Sequence, residues 1–146
     1  MIDPGRHIDI MGIVNLTDDS YFEPSRCGLD PKDMVRNAIR TIRDMVDEGA
    51  TIIDIGACST RPGAQAVGEH EEWERIRPVL KAAVVEFPEM RYSFDTVYSG
   101  VIRNAFDEVS RVLGEDWARR SLIVNDISAG EDDPGMLPLV GSLGVT

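Results

Sequence analysis

A parallel α/β fold of the (β/α)8 barrel kind, with about its first four strand–helix units present, is what this sequence predicts. Two observations carry the prediction. Short apolar runs suited to buried strands alternate with longer stretches whose apolar residues recur near a 3.6-residue period. Parallel neighbours in a sheet need such crossovers. Each apolar run also delivers polar residues at its C-terminal end: Asn15-Leu16-Thr17, Ser59-Thr60-Arg61, Asp95-Thr96 and Asn125-Asp126. A barrel builds its site from the ends of several strands in this way, whereas an open doubly wound sheet gathers its ligand residues at one switch point.

The elements follow in order. Ile8 to Val14 has strand character. Asp30-Pro31 then opens a helix, with Asp as N-cap and Pro at the first position, where its missing N–H costs nothing. Met34, Val35, Ala38, Ile39, Ile42, Met45 and Val46 give that helix one apolar stripe, and Gly49 is a natural stop. Thr51 to Ile55 is the second strand. Glu69 to Phe87 is mostly helix, carrying Trp73, Ile76, Leu80, Ala83, Val84 and Phe87 on one side, with a kink or restart expected at Pro78. Arg91 to Phe94 is the third strand, and its helix runs from about Tyr98 to Leu113 with Val101, Ile102, Ala105, Phe106, Val109 and Val112 buried. Leu122 to Val124 is the fourth strand, a weak helix follows near Pro134 to Ser142, and Gly144-Val145-Thr146 begins a fifth strand.

Four units are half a barrel, with strand edges left open on both sides. Residues 1–146 therefore read as an incomplete domain, the N-terminal half of a barrel. Either the remaining half lies on residues outside this sequence or self-association covers the edges.

Composition narrows the partners. The apolar share of 42% and charged share of 28% belong to a soluble globular chain. A net charge of −11 with no basic stripe argues against nucleic acid, so an anionic substrate has to be gripped by a local cluster of donors. The stretch Ile8 to Leu16 is interrupted by Asp9 and far too short to span a bilayer, and no basic-then-apolar leader precedes it. No membrane association is expected. Cys27 and Cys58 fit reduced thiols in a cytoplasm, and neither His7 nor His70 stands in a zinc-ligand spacing.

Four motifs carry chemistry. In D-I-G-A-C-S-T-R-P-G-A, Ser59, Thr60, Arg61 and the turn-forming Pro62-Gly63 could grip a phosphate, Arg61 through paired charge-assisted bonds. A plain solvent-exposed loop is the competing reading. In M-G-I-V-N-L-T-D-D-S-Y-F, Asn15 stands at a strand tip before a long loop of the length that often binds or covers a ligand. Its side-chain oxygen could ligate a hard cation such as Mg2+, or merely fix the loop. In S-F-D-T, Asp95 could accept N–H bonds from a heterocycle or stabilise developing positive charge; equally, it could cap the helix starting near Val97. In V-N-D-I-S-A-G, Asn125 can donate and accept at once, which suits a ring edge presenting both kinds of group, with the same structural alternative.

Taken together, and in this order after strands one to four, the motifs resemble those of the dihydropteroate synthase family over essentially the whole chain. The resemblance implies a (β/α)8 barrel acting in folate biosynthesis. Its enzyme, a transferase, condenses (7,8-dihydropterin-6-yl)methyl diphosphate with 4-aminobenzoate, releasing 7,8-dihydropteroate and pyrophosphate. By the same resemblance, Asn15 corresponds to a Mg2+-binding asparagine, Thr60 to a contact of the pterin diphosphate, and Asp95 and Asn125 to pterin-pocket residues. Ser59, Arg61 and Pro62 belong to the second loop, and Thr17 through Tyr21, Asp19 among them, to the first; both loops help form the 4-aminobenzoate pocket. Asp95 and Arg61 take the catalytic roles, Arg61 by stabilising the leaving diphosphate. A cytoplasmic enzyme, homodimeric at full length, is implied.

The sequence departs from the family pattern at Asp18, Tyr21 and Cys58, and in the segment Gly114 to Ser121, which lengthens a normally short connection at the barrel's N-terminal end. The residues that the family's later strands supply are absent, so the chain alone is expected to carry half a site and to be inactive. Two other readings compete: a truncated pterin- or diphosphate-binding module without turnover, and a methyltetrahydrofolate-type pterin-binding methyltransferase. The second has no diphosphate to grip, which the S-T-R-P-G loop speaks against.

Overall fold

The computed structural model describes residues 8–16, 31–57 and 67–146. Its elements are β1 (Met11–Asn15), α1 (Pro31–Asp47), β2 (Ile52–Gly56), α2 (Glu69–Glu86), β3 (Arg91–Asp95), α3 (Ser99–Leu113), α4 (Glu115–Ser121), β4 (Leu122–Asn125) and α5 (Met136–Leu143). The four strands form one parallel sheet in the order β1-β2-β3-β4. A doubly wound sheet reorders its strands about a switch point and places helices on both faces. Here the order in space is the order in sequence, and among the described residues the helices share their core with one face of the sheet.

Alternation along the strands makes that plain. Val14, Ile53, Ile55, Tyr92, Phe94 and Leu122 point one way and share a core with Ala38, Ile42, Ile76, Leu80, Ala83, Ile102, Ala105 and Val109 of the helices. The residues between them, at odd positions on β1, β3 and β4 and even positions on β2, face what would be a barrel interior. On that face Met11 and Ile13 are exposed, as expected of a barrel strand whose opposite wall is missing.

The strands are displaced from their predicted bounds, and in one direction. Each ends one residue later than the apolar run suggested, taking Asn15, Gly56, Asp95 and Asn125 into the ladder. β1 also begins at Met11 rather than Ile8. The Ile10 N–H donates to the Thr51 hydroxyl at 3.2 Å instead of to a neighbouring carbonyl. Thr51 in turn donates to Asp9 at 2.9 Å, and Arg91 pairs with the same carboxylate at 2.8 Å. These side-chain ties reinforce the bottom of the sheet, where the Ile10 carbonyl still accepts from the Thr51 N–H at 2.9 Å.

Of the two outcomes expected at Pro78, a kink or a restart, the restart does not occur: α2 is a single helix through it. The carbonyl that loses its partner belongs to Glu74, an exposed residue, so water can replace the missing N–H. Val112 is exposed, not buried: in the last turn of α3 the contact with the core is made by Leu113. The Gly114 to Ser121 segment is more than a long connection. It folds as α4, buries Ala118, packs Trp117 against the core and sets Arg119 over the Phe106 ring at 5.7 Å. At the chain's end the Thr146 N–H bonds to the Leu122 carbonyl at 3.4 Å, and the Val124 N–H bonds to the Thr146 carbonyl at 2.7 Å, but no fifth strand forms among the described residues: Gly144 closes α5 at φ 68°.

α1 begins at Pro31 as predicted, while its predicted cap Asp30 lies outside the described residues. Its other end closes with Gly49 at φ 102°, where the Gly49 N–H reaches the Val46 carbonyl and the Ala50 N–H the Met45 carbonyl. A side chain at that φ would be strained, which is why Gly serves there.

Candidate functional site

Extension of the strands by one residue has a direct consequence. Asn15 pairs with Gly56, Gly56 with Asp95, and Asp95 with Asn125, so all four stand in one row across the C-terminal edge of the sheet, pointing into the barrel side. Three of the sequence-predicted site residues are brought together there, and the fourth member of the row is the residue with no side chain. A Cβ on Gly56 would lie 3.2 Å from Asp95 Cβ, 3.3 Å from Asp95 Oδ2 and 3.6 Å from Asn15 Oδ1. The two oxygens therefore converge over Gly56, in space that any other residue would fill.

One layer deeper, Ile13, Asp54, Ser93 and Ile123 form the next row on the same face. Asp54 is 3% exposed, and its Oδ2 accepts a bond from Asn125 Nδ2 at 3.2 Å. Its Oδ1 and the Ser93 hydroxyl are buried with no hydrogen-bond partner among the described residues. Burial, together with the carboxylates of Asp54 and Asp126, holds the Asp95 carboxyl above the usual carboxylate range.

The structural alternatives for Asp95 and Asn125 do not hold. The first N–H of α3, on Ser99, donates to Asp133 at 2.7 Å, and the Tyr98 N–H goes to the Thr96 hydroxyl at 3.1 Å. Asp95 caps nothing. In the turn after β4 it is Asp126 that accepts from the Ser128 N–H, the Ser128 hydroxyl and the Gly130 N–H, each at 2.8 Å. That leaves Asn125 to reach across the sheet. The turn so held puts Ala129 at φ 54° and Gly130 at φ 83°.

Thr17, Asp19, Ser59, Thr60, Arg61 and Pro62 lie outside the described residues, as do Asp18, Tyr21, Cys27, Cys58 and His7. Both residues flanking the second loop are anchored: Arg75 donates to the Ala57 carbonyl at 3.4 Å, and the Tyr98 hydroxyl donates to the Val67 carbonyl at 3.0 Å.

No group of three or more His, Cys, Asp or Glu that could hold a metal occurs among the described residues. What the row offers a cation is the amide oxygen of Asn15 and the carboxylate of Asp95, oxygen donors only. That set fits Mg2+, which takes few protein ligands and completes its shell with substrate phosphate oxygens and water. Sequence reasoning missed Asp54 and Gly56 as part of this site. The signal was present: within the apolar run A-T-I-I-D-I-G they are two residues apart, hence on one face of the strand. Among the described residues no helix is long and apolar enough to cross a membrane.

Comparison with known proteins bears on the family and the fold. Dihydropteroate synthase of Mycobacterium leprae is 38% identical over 138 residues, which are 94% of this chain and 42% of that protein. The mitochondrial folate synthesis bifunctional protein of Arabidopsis thaliana is 39% identical over 138 residues, 22% of its length. Among solved structures, a dihydropteroate synthase from Clostridium difficile, determined in the presence of pteroic acid, superposes with a TM-score of 0.77 at 32% identity, over 99% of this chain and 49% of its own. A Xanthomonas albilineans dihydropteroate synthase with 4-aminobenzoic acid gives 0.72 at 34% identity, over 94% and 44%. The chain thus spans half or less of these proteins, and its four-stranded sheet is the first part of their TIM barrel. Residues 11–146 match the pterin-binding enzyme family, and to that family this chain belongs.

Proposed function

We propose that the chain is the N-terminal half of a dihydropteroate synthase. Completed by the second half of the barrel, it would condense (7,8-dihydropterin-6-yl)methyl diphosphate with 4-aminobenzoate to give 7,8-dihydropteroate and pyrophosphate. The observation that supports this best is the row Asn15–Gly56–Asp95–Asn125, with Asp54 beneath it. Polar side chains of the kinds that a pterin and a magnesium diphosphate require share one edge of the sheet.

The chemistry asks for three things. A flat heterocycle must be held by groups that donate and accept; Asn125 and Asp95, adjacent in register, can do so. Positive charge spreading into the ring as the methylene C–O bond breaks must be stabilised, and a carboxylate already in place at Asp95 does that without reorganisation. The leaving diphosphate must be neutralised, for which Arg61 and Thr60 are the residues proposed. Asn15 would hold Mg2+, whose contribution when bound is to stabilise negative charge on the diphosphate oxygens. The amine of 4-aminobenzoate is the nucleophile, received between loops carrying Thr17, Asp19, Ser59 and Pro62, so no covalent enzyme intermediate is needed. A cytoplasmic homodimer at full length completes the proposal.

Calorimetric titration of the chain with the pterin-methyl diphosphate, with and without Mg2+, tests the reading. Binding strengthened by Mg2+ is expected, with no turnover from this chain alone. A folded chain that ignores the ligand in both conditions would reduce the reading to the family fold. In the completed enzyme, Asp95→Ala should cost about 2–4 kcal/mol of transition-state stabilisation, the scale of losing one preorganised electrostatic partner. Loss of less than about tenfold in turnover would take Asp95 out of the catalytic set.

A further inference from the structure

A buried carboxylate, Asp54, has no role in the chemistry above. Packing does not require it: Ile13 and Ile123 occupy the same row as apolar side chains. An ionisable group there is costly to bury, and it is only half satisfied, Oδ2 by Asn125 and Oδ1 by no described residue.

We propose that Asp54 is a positioning residue that fixes the amide of Asn125, nitrogen inward, so that its oxygen is kept for the ligand. The inference deepens the pterin reading and rests on it for the identity of that ligand. An ionised carboxylate accepts and cannot donate. Turning the amide over would set the Asn125 oxygen against a carboxylate oxygen, acceptor against acceptor, so one of the two orientations is excluded. Asn125 is exposed and would otherwise present either end. What it retains is Oδ1 and one N–H, an acceptor beside a donor. The matching ring edge is a donor beside an acceptor, such as an N–H next to a carbonyl or a ring nitrogen.

The placement of the bond matters as much as its polarity. Asp54 is on β2 and Asn125 on β4, so the bond crosses over β3, the strand that carries Asp95. Asp95 is the register partner of Asn125. A bond from one strand beyond therefore sets Asn125 relative to the carboxylate that the same flat ring would meet.

Two readouts on the intact chain test this. In the 15N-labelled protein, one of the two Asn125 Nδ2 protons should be shifted downfield and slowed in exchange. Asp54→Leu should abolish that signature, and Asp54→Asn, whose oxygen still accepts, should restore part of it. Affinity for 6-hydroxymethylpterin should fall about tenfold in Asp54→Leu, the effect of one misplaced hydrogen bond, and less in Asp54→Asn. The double variant Asp54→Leu/Asn125→Ala should bind no worse than Asn125→Ala alone. Inorganic pyrophosphate, used as a second probe, should bind all variants equally. Identical Asn125 amide signals in wild type and Asp54→Leu, or additive losses in the double variant, would overturn the proposal. A wild-type chain that shows the amide signature yet binds no pterin would overturn the pterin reading and leave the positioning role supported.

Discussion

Gly56 is the residue on which the site's geometry turns, because its missing side chain lets Asn15 Oδ1 and Asp95 Oδ2 face one space. In Gly56→Ala the new methyl would press on Asp95 Cβ and Oδ2, contacts tighter than real Cβ atoms usually make. The fold should survive, since nothing else lies within that reach, while affinity for the pterin-methyl diphosphate falls about tenfold, as one displaced charge-bearing contact would cause. Calorimetry reads this directly, and an unchanged affinity would remove the row from the binding site. Asp95 carries an opposite tension between stability and function. Its folded-state pKa is raised above the ordinary 3.8 by burial and by Asp54 and Asp126. Between the two values the folded chain holds more protons than the unfolded, so stability falls as pH rises through that window and stays reduced above it. Asp95→Asn should therefore raise Tm at neutral pH, and the advantage should vanish below pH 3.8. Melting curves that coincide at both ends of the range would place the burial cost elsewhere.

At the scale of the element, α2 tests how a helix tolerates an internal proline. Pro78 leaves the Glu74 carbonyl without its intrahelical donor. Pro78→Ala should add roughly 1–3 kcal/mol in urea denaturation, by restoring that N–H in the helix interior. No gain would mean that hydration of the exposed carbonyl already offsets the loss. Helices were the legible part of this sequence: the stripes of α1 and α3 lie where a 3.6-residue period puts them, because each buries one face against the sheet. Strand ends were less so. Apolar runs stop at the first polar or side-chain-free residue, yet the ladder continues through Asn15, Gly56, Asp95 and Asn125, since backbone pairing is indifferent to side-chain polarity. The polar tips of the site were therefore visible by residue type, whereas Asp54 was masked by its apolar neighbours and emerges only once the pleat assigns it a face.

For the whole molecule, the open inner face decides behaviour in solution. Ile8, Ile10, Met11 and Ile13 are exposed along the first strand and the residues leading to it, and β1 has a pairing partner on one side only among the described residues. Such an edge invites association. Sedimentation equilibrium of this chain should show concentration-dependent oligomers, and Ile13→Asp, at a position 59% exposed, should shift them toward monomer without lowering Tm. A monomer at all concentrations would mean that the edge is already covered.

The spatial order of the strands has one more consequence, for the chain as it is made. Because β1, β2, β3 and β4 neighbour one another in the order of synthesis, each strand emerging from a ribosome finds its partner already present. No strand must wait for a later one to be slotted between earlier neighbours. The sheet can grow at a single edge, and the bonds that tie Thr146 to Leu122 and Val124 lie along the free side of β4, the edge at which the next addition would be made.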